Sequence, residues 1–178
     1  MTALRIAVEL PSDGVTPGEF LADVQAYEAA GAHAVWLTAA SLEPLTLMAA
    51  AAAVTARVRL VASPPAPGRW PPDLLASVTE TLRHLSRDRV TTGVDGVVCD
   101  VDDAAEAVAR VRSAQPAPDF ELWVRVPAPA GRAAWRESLA TCANLEATGV
   151  VVPHAPNLLD ILRNPEEDDR SDLAIATG

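Results

Sequence analysis

The sequence predicts an α/β fold of parallel βα units, and three observations predict it. Short runs rich in β-branched and aromatic residues alternate with longer stretches of helical period. The 178 residues suit one domain with a sizeable core. The turn after the first strand, VELPSDG, holds a single glycine, so the dinucleotide fingerprint G-x-G-x-x-G is absent. Six strands and six helices are consistent with a (β/α) barrel or an open doubly wound sheet. A complete barrel needs eight strands and typically ~250 residues, so two units are missing if this is one.

The first strand is LRIAVEL, residues 4–10. Thr16, Pro17 and Glu19 then form a capping box with proline at the first helical position. Phe20, Leu21, Val24 and Tyr27 follow at helical spacing, and Gly31 ends that helix. AVWLT, residues 34–38, is the second strand.

The second helix runs from Pro44 to Ala56 and is apolar all the way round, with five consecutive alanines and no charge before Arg57. A helix of that kind is buried on every side. We expect it to pack against a partner subunit, as a homodimer or heterodimer. VRLVAS, residues 58–63, is the third strand, followed by the proline-rich loop SPPAPGRWPPD. A helix with Asp73 in its first turn carries Leu74, Leu75, Val78, Leu82 and Leu85.

RVTTGV, residues 89–94, is the fourth strand, and Asp102 or Asp103 caps the next helix. ELWVRV, residues 121–126, is the fifth strand. A helix after Gly131 buries Trp135, Leu139, Cys142 and Leu145. GVVVP, residues 149–153, is the sixth strand, and a short helix from Asn157 to Arg163 ends the domain, residues 1–163. Residues 164–178 read as an acidic, loose tail.

Composition removes several function classes. A net charge of −10 opposes binding to nucleic acid or to an anionic membrane. All the positive charge is arginine, and the absence of lysine excludes a Schiff-base lysine, a P-loop lysine and a Ser–Lys dyad. Two distant cysteines, Cys99 and Cys142, make neither a disulfide framework nor a metal ligand set. The start of the chain lacks the pattern of a signal peptide, so the expected location is cytoplasmic.

Three stretches resemble the N-terminal half of the bacterial luciferase-like family. They are AYEAAGAHAVWLT (26–38), EPLTLMAAAAAVTARVRLVAS (43–63) and PPDLLASVTETLRHLSRDRVTTGVDG (71–96). GVVVPHAPNLLDILR, residues 149–163, is similar to the end of the same family's barrel. The resemblance implies an incomplete TIM-like (β/α) barrel of about six βα units, with parallel strands. It further implies a flavin- or deazaflavin-dependent (FMN or deazaflavin) oxidoreductase or monooxygenase acting on a small organic substrate. Two departures stand out. The family's polar acid–histidine pair after the second strand is replaced by Thr38, Ala39, Ala40 and Ser41. Its glycine-rich turn is Gly93, Val94, Asp95 and Gly96. These departures favour an alternative, a catalytically degenerate relative acting as a ligand-binding or auxiliary subunit.

Barrel enzymes place their chemistry at the C-terminal ends of the strands. Those ends carry Glu9, Thr38, Ser63, Thr92 with Asp95, Arg125 and His154. Under the enzyme reading, Glu9, Ser63, Arg125 and His154 orient cofactor and substrate. Alternation puts Glu9 on one face with Arg5, and Arg125 on one face with Glu121, so Glu9 and Arg125 can meet across the mouth. A structural ion pair is the more economical account of such a contact. His154 has the titration range of a proton shuttle, although a loop histidine needs no such role. Asp100, Asp102 and Asp103 suit a hard cation, but helix capping explains them with less effort. Arg69 and Trp70 in the proline-rich loop can stack on a planar ligand or merely connect two elements.

Overall fold

The structure, a computed structural model, describes residues 4–11, 13–14, 16–37, 42–63, 68–113 and 120–166. In chain order the elements are β1 (Arg5–Leu10), α1 (Pro17–Ala29), β2 (Ala34–Leu37), α2 (Pro44–Val54), β3 (Arg59–Ala62), α3 (Pro72–Ser86) and β4 (Val90–Thr92). There follow β5 (Gly96–Asp100), a 3-10 turn (Val101–Asp103), α4 (Ala104–Ser113), β6 (Glu121–Arg125), α5 (Arg132–Asn144), β7 (Gly149–Pro153) and α6 (Leu158–Arg163). The strands form one sheet in the order β4-β3-β2-β1-β7-β6-β5, and neighbours are parallel.

This is the expected incomplete TIM-like barrel, built on seven strands rather than six. The added strand is β5, drawn from GVVCD. It was invisible in the sequence because no helix separates it from β4. Parallel neighbours normally need a crossover of a dozen or more residues. Residues 93–95 alone join β4 to β5, at opposite edges of the sheet. The chain leaves one edge and enters the other without reversing, through a tight turn in which the Gly96 N–H donates to Val94 O at 2.9 Å. Gly93 takes φ +79° there, a conformation that favours glycine. Four Cα steps span at most about 14 Å, so the two edges approach each other and the sheet must curl.

The interior shows the same curl. β2 and β6 are three strands apart, about 14 Å along a flat sheet. Yet the rings of Trp36 and Trp123 are 5.6 Å apart between centroids. With Ala7, Ala34, Val61 and Val151 they form an apolar cluster inside the barrel. The alternate residues Val8, Val35, Leu60, Val124 and Val150 point outward and pack under Phe20, Tyr27, Met48, Leu82 and Trp135 of the helices. Being covered on both faces, β2 is buried at all four positions.

An ion cluster closes the N-terminal end of the barrel. The Glu121 carboxylate accepts from Arg5 Nη1 at 2.8 Å, Arg59 Nη1 at 2.8 Å and Trp123 Nε1 at 3.1 Å. Desolvation is the largest influence on Glu121 and pushes its pKa up. The Trp123 and Arg59 hydrogen bonds, with the charges of Arg59 and Arg5, outweigh it and hold the carboxyl below its ordinary value. Gly149 makes room for this cluster, since a Cβ there would collide with the Trp123 ring and sit 2.6 Å from Arg5 O.

Local signals explain the helix ends. The Thr16 capping box forms as expected, with the Glu19 N–H donating to Thr16 Oγ1 and the Thr16 N–H to Glu19 Oε2. Glu28 accepts from the N–H groups of Ala56, Arg57 and Val58 and so fixes the turn from α2 into β3. Arg89 donates to the carbonyls of Ala52, Thr55 and Val58, which serves the C-terminal end of α2. The expected cap at Asp102 or Asp103 is replaced by the 3-10 turn running directly into α4. Asp100, which precedes that turn, makes no capping hydrogen bond.

Helix α2 buries Pro44, Leu45, Met48 and Ala51 against the barrel. Its outer side exposes Thr46, Ala50 and Ala53. Leu82 of α3 is buried, whereas Leu74 and Leu85 are 49% and 68% exposed, as is Leu42 at 47% just before α2. No helix among the described residues is long and apolar enough to cross a membrane.

Candidate functional site

The C-terminal ends of β1, β5, β6 and β7 border an open cavity of about 470 Å³. This is the end of a barrel where side chains from several strands converge. Its wall is apolar, from Val126, Pro127, Val151 and Pro153, and its charged groups are Glu9, Asp100, Asp102 and Arg125. Glu9 enters because β1 turns Arg5, Ala7 and Glu9 to one face. The register then sets Glu9 beside Pro153 of β7 and Trp36 of β2, and Arg125 beside Asp100 of β5.

Arg125 Nη2 lies 3.4 Å from Glu9 Oε1, with side chains 38% and 21% exposed. At that length and exposure the pair is a loose one, screened by solvent. Asp100 and Asp102 are exposed. Three carboxylates thus face one guanidinium, and the cavity is net negative. Among the described residues no three carboxylate, imidazole or thiol groups converge to hold a metal ion.

Of the four residues expected to hold cofactor and substrate, Glu9 and Arg125 come together on this cavity. Ser63 follows β3, two strands from β1; its N–H donates to Leu37 O at 2.9 Å, and it does not line the cavity. His154 sits behind Glu9, its N–H donating to Glu9 O at 2.9 Å. Its ring turns toward the helix layer, where Nδ1 is 2.9 Å from the Tyr27 hydroxyl. Tyr27 is fully buried, and its pKa is pushed up to about 12, by desolvation first and by the charge of Asp23 second. Thr38 and the rest of residues 38–41 lie outside the described residues, as do residues 64–67 of the proline-rich loop.

The strand-end reading of β4 chose Thr92, which is exposed. Its neighbour Thr91 is the residue on the inner face, because it pairs with Val61 and Val61 pairs with Trp36. Glu9, Trp36, Val61 and Thr91 therefore stand at one level on four successive strands. Trp36 Nε1 and Thr91 Oγ1 are both buried, and neither has a hydrogen-bond partner among the described residues. In the sequence Trp36 stands out only as a marker of fold, and nothing local distinguishes Thr91 from Thr92. The strand pairing that aligns them depends on residues distant in the chain.

The luciferase-like monooxygenase family model matches residues 1–96. Among solved structures, the chain is similar to a coenzyme F420-dependent tetrahydromethanopterin reductase from Methanopyrus kandleri (14% identity, TM-score 0.48, 85% of this chain and 56% of that one). It is also similar to an F420-dependent secondary alcohol dehydrogenase in complex with an F420-acetone adduct (18%, 0.45, 74% and 55%). A third is a monooxygenase from Streptomyces bottropensis (16%, 0.45, 80% and 65%). The chain spans between about half and two thirds of the length of these structures. No curated protein matches it in sequence.

Proposed function

The chain belongs to the luciferase-like monooxygenase family, and on that premise we propose that it is a flavin- or deazaflavin-dependent oxidoreductase acting on a small organic substrate. The observation that carries this reading is the cavity at the C-terminal mouth, where an apolar wall surrounds the Glu9–Arg125 pair.

The residues present fit one part of such a cofactor better than another. The Val126, Pro127, Val151 and Pro153 wall suits a flat heterocycle, and Arg125 offers donors to its polar edge. A phosphate does not fit beside Glu9, Asp100 and Asp102, because three carboxylates repel it and Arg125 is shared with Glu9. When bound, the ring supplies the hydride or electron chemistry. The protein's part is to exclude water with the apolar wall and to orient the bound molecule with Arg125. Glu9 sets the guanidinium's direction, and His154 holds the backbone of Glu9 in place. Ser63 remains a proposed contact on the β3 side of the mouth.

A fluorescence titration of the full chain with FMN and with a deazaflavin tests the reading. Micromolar or tighter affinity for either supports it; no binding of either removes it. The excess of carboxylates favours a second reading, a ligand-binding or auxiliary subunit without turnover. Under that reading the outer side of α2, with Leu42, Leu74 and Leu85 around it, is the working surface toward a second copy or a related chain.

A further inference from the structure

Two polar groups inside the barrel stand without partners, and they stand in one row. Trp36 is 7% exposed, and both its Nε1 and Thr91 Oγ1 are buried without a hydrogen-bond partner among the described residues. Buried polar groups are rarely left so, and each such group costs stability unless something satisfies it. Trp123, the other indole of the interior, has its N–H bonded to Glu121 at the opposite end. The Trp36 N–H has no such acceptor among the described residues.

We propose that Trp36 Nε1 and Thr91 Oγ1 form an inner subsite that takes an uncharged oxygen, a carbonyl or hydroxyl, from a molecule entering through the mouth. Trp36 and Thr91 are two strands apart, roughly 10 Å between backbones, with Val61 between them. An indole extended from one side and a hydroxyl from the other can both serve one oxygen atom above Val61. The indole only donates, whereas the hydroxyl donates or accepts, so the atom between them must be an acceptor. It must also be neutral. The surrounding Ala7, Ala34, Val61, Val94, Val98 and Val151 offer no counter-charge, and Glu9 at the same level repels an anion. The subsite thus selects a neutral ketone, aldehyde or alcohol over a carboxylate of the same shape.

The inference rests on the proposed function only in taking the mouth as the ligand's entrance, and its test contains no cofactor. The full chain, labelled with ¹⁵N-tryptophan, gives one indole signal for each of its four tryptophans. Loss of a signal in Trp36→Phe assigns it. The probes are cyclohexanone, methylenecyclohexane and cyclohexanecarboxylate, which share a ring and differ at the polar atom. Cyclohexanone is expected to shift the Trp36 indole signal saturably and to leave those of Trp70 and Trp135 in place, with little response to the other two. Thr91→Val should weaken that binding about fivefold, and Thr91→Ser should restore it. The unmoved Trp135 signal in each variant reports an intact fold. An equal response to all three probes overturns the proposal in favour of apolar filling. So does no response, or a long-lived water on the Trp36 N–H that cyclohexanone does not displace. Failure of the flavin titration leaves each of these outcomes readable.

Discussion

Arg125 stands beside Glu9, with Nη2 3.4 Å from Oε1, and Asp100 occupies the same level on the neighbouring strand. Among the described residues it is the one cation lining the cavity. Removing it leaves three carboxylates facing any ligand that enters. Arg125→Ala is therefore expected to weaken FMN or deazaflavin binding by more than tenfold in the fluorescence titration. An unchanged affinity, with the fold intact by circular dichroism, would assign the pair a structural role instead.

Helix α2 presents Thr46, Ala50 and Ala53 outward, uncharged, and Leu42 just before it is exposed, as are Leu74 and Leu85 of α3. Small side chains permit close approach of a second helix, and apolar surface of this kind is costly to leave in water. Light scattering at micromolar concentration should give the mass of a dimer. Ala50→Glu and Ala53→Glu together should return the monomer. A wild-type chain that scatters as a monomer would end the proposal.

Tyr27 is the sole tyrosine of the chain, so tyrosinate absorbance reads it alone. Desolvation raises its pKa from 10.0 to about 12, assisted by Asp23 and opposed by the Ala155 amide. Between those values the folded protein keeps a proton that the unfolded chain has lost. Stability from this group is thus complete below pH 10 and declines as pH climbs toward 12. A tyrosinate midpoint near 12 in the native protein, and near 10 in denaturant, is the expected result. A native midpoint near 10 would mean that Tyr27 is not sealed beneath α1.

The sequence made most of the barrel legible because local chemistry and tertiary packing agree there. The capping box at Thr16, the alternation in LRIAVEL and ELWVRV, and the glycine after α1 all act over a few residues. What escaped was set by distant partners. GVVCD becomes β5 because β6 pairs with it, residue for residue from Gly96 on Glu121 to Asp100 on Arg125, and nothing in those five residues announces that partner. The choice of Thr91 over Thr92 depends on the phase of β4 against β3. His154 follows the strand that carries Pro153 into the cavity, yet its ring meets Tyr27, a helix residue 127 positions earlier. Glu9 and Arg125 were within reach of sequence reasoning because strand alternation alone turns both inward.

The short passage from β4 to β5 sets the girth of the molecule. With its two margins tied by residues 93–95, the curled sheet opens there no wider than four Cα steps allow. Two indoles with a few alanines and valines line it. Lengthening that tie would slacken the wall and hollow the interior. In this protein the tightness of the cylinder and the placement of its inner polar groups are one property, governed by a clasp of three residues.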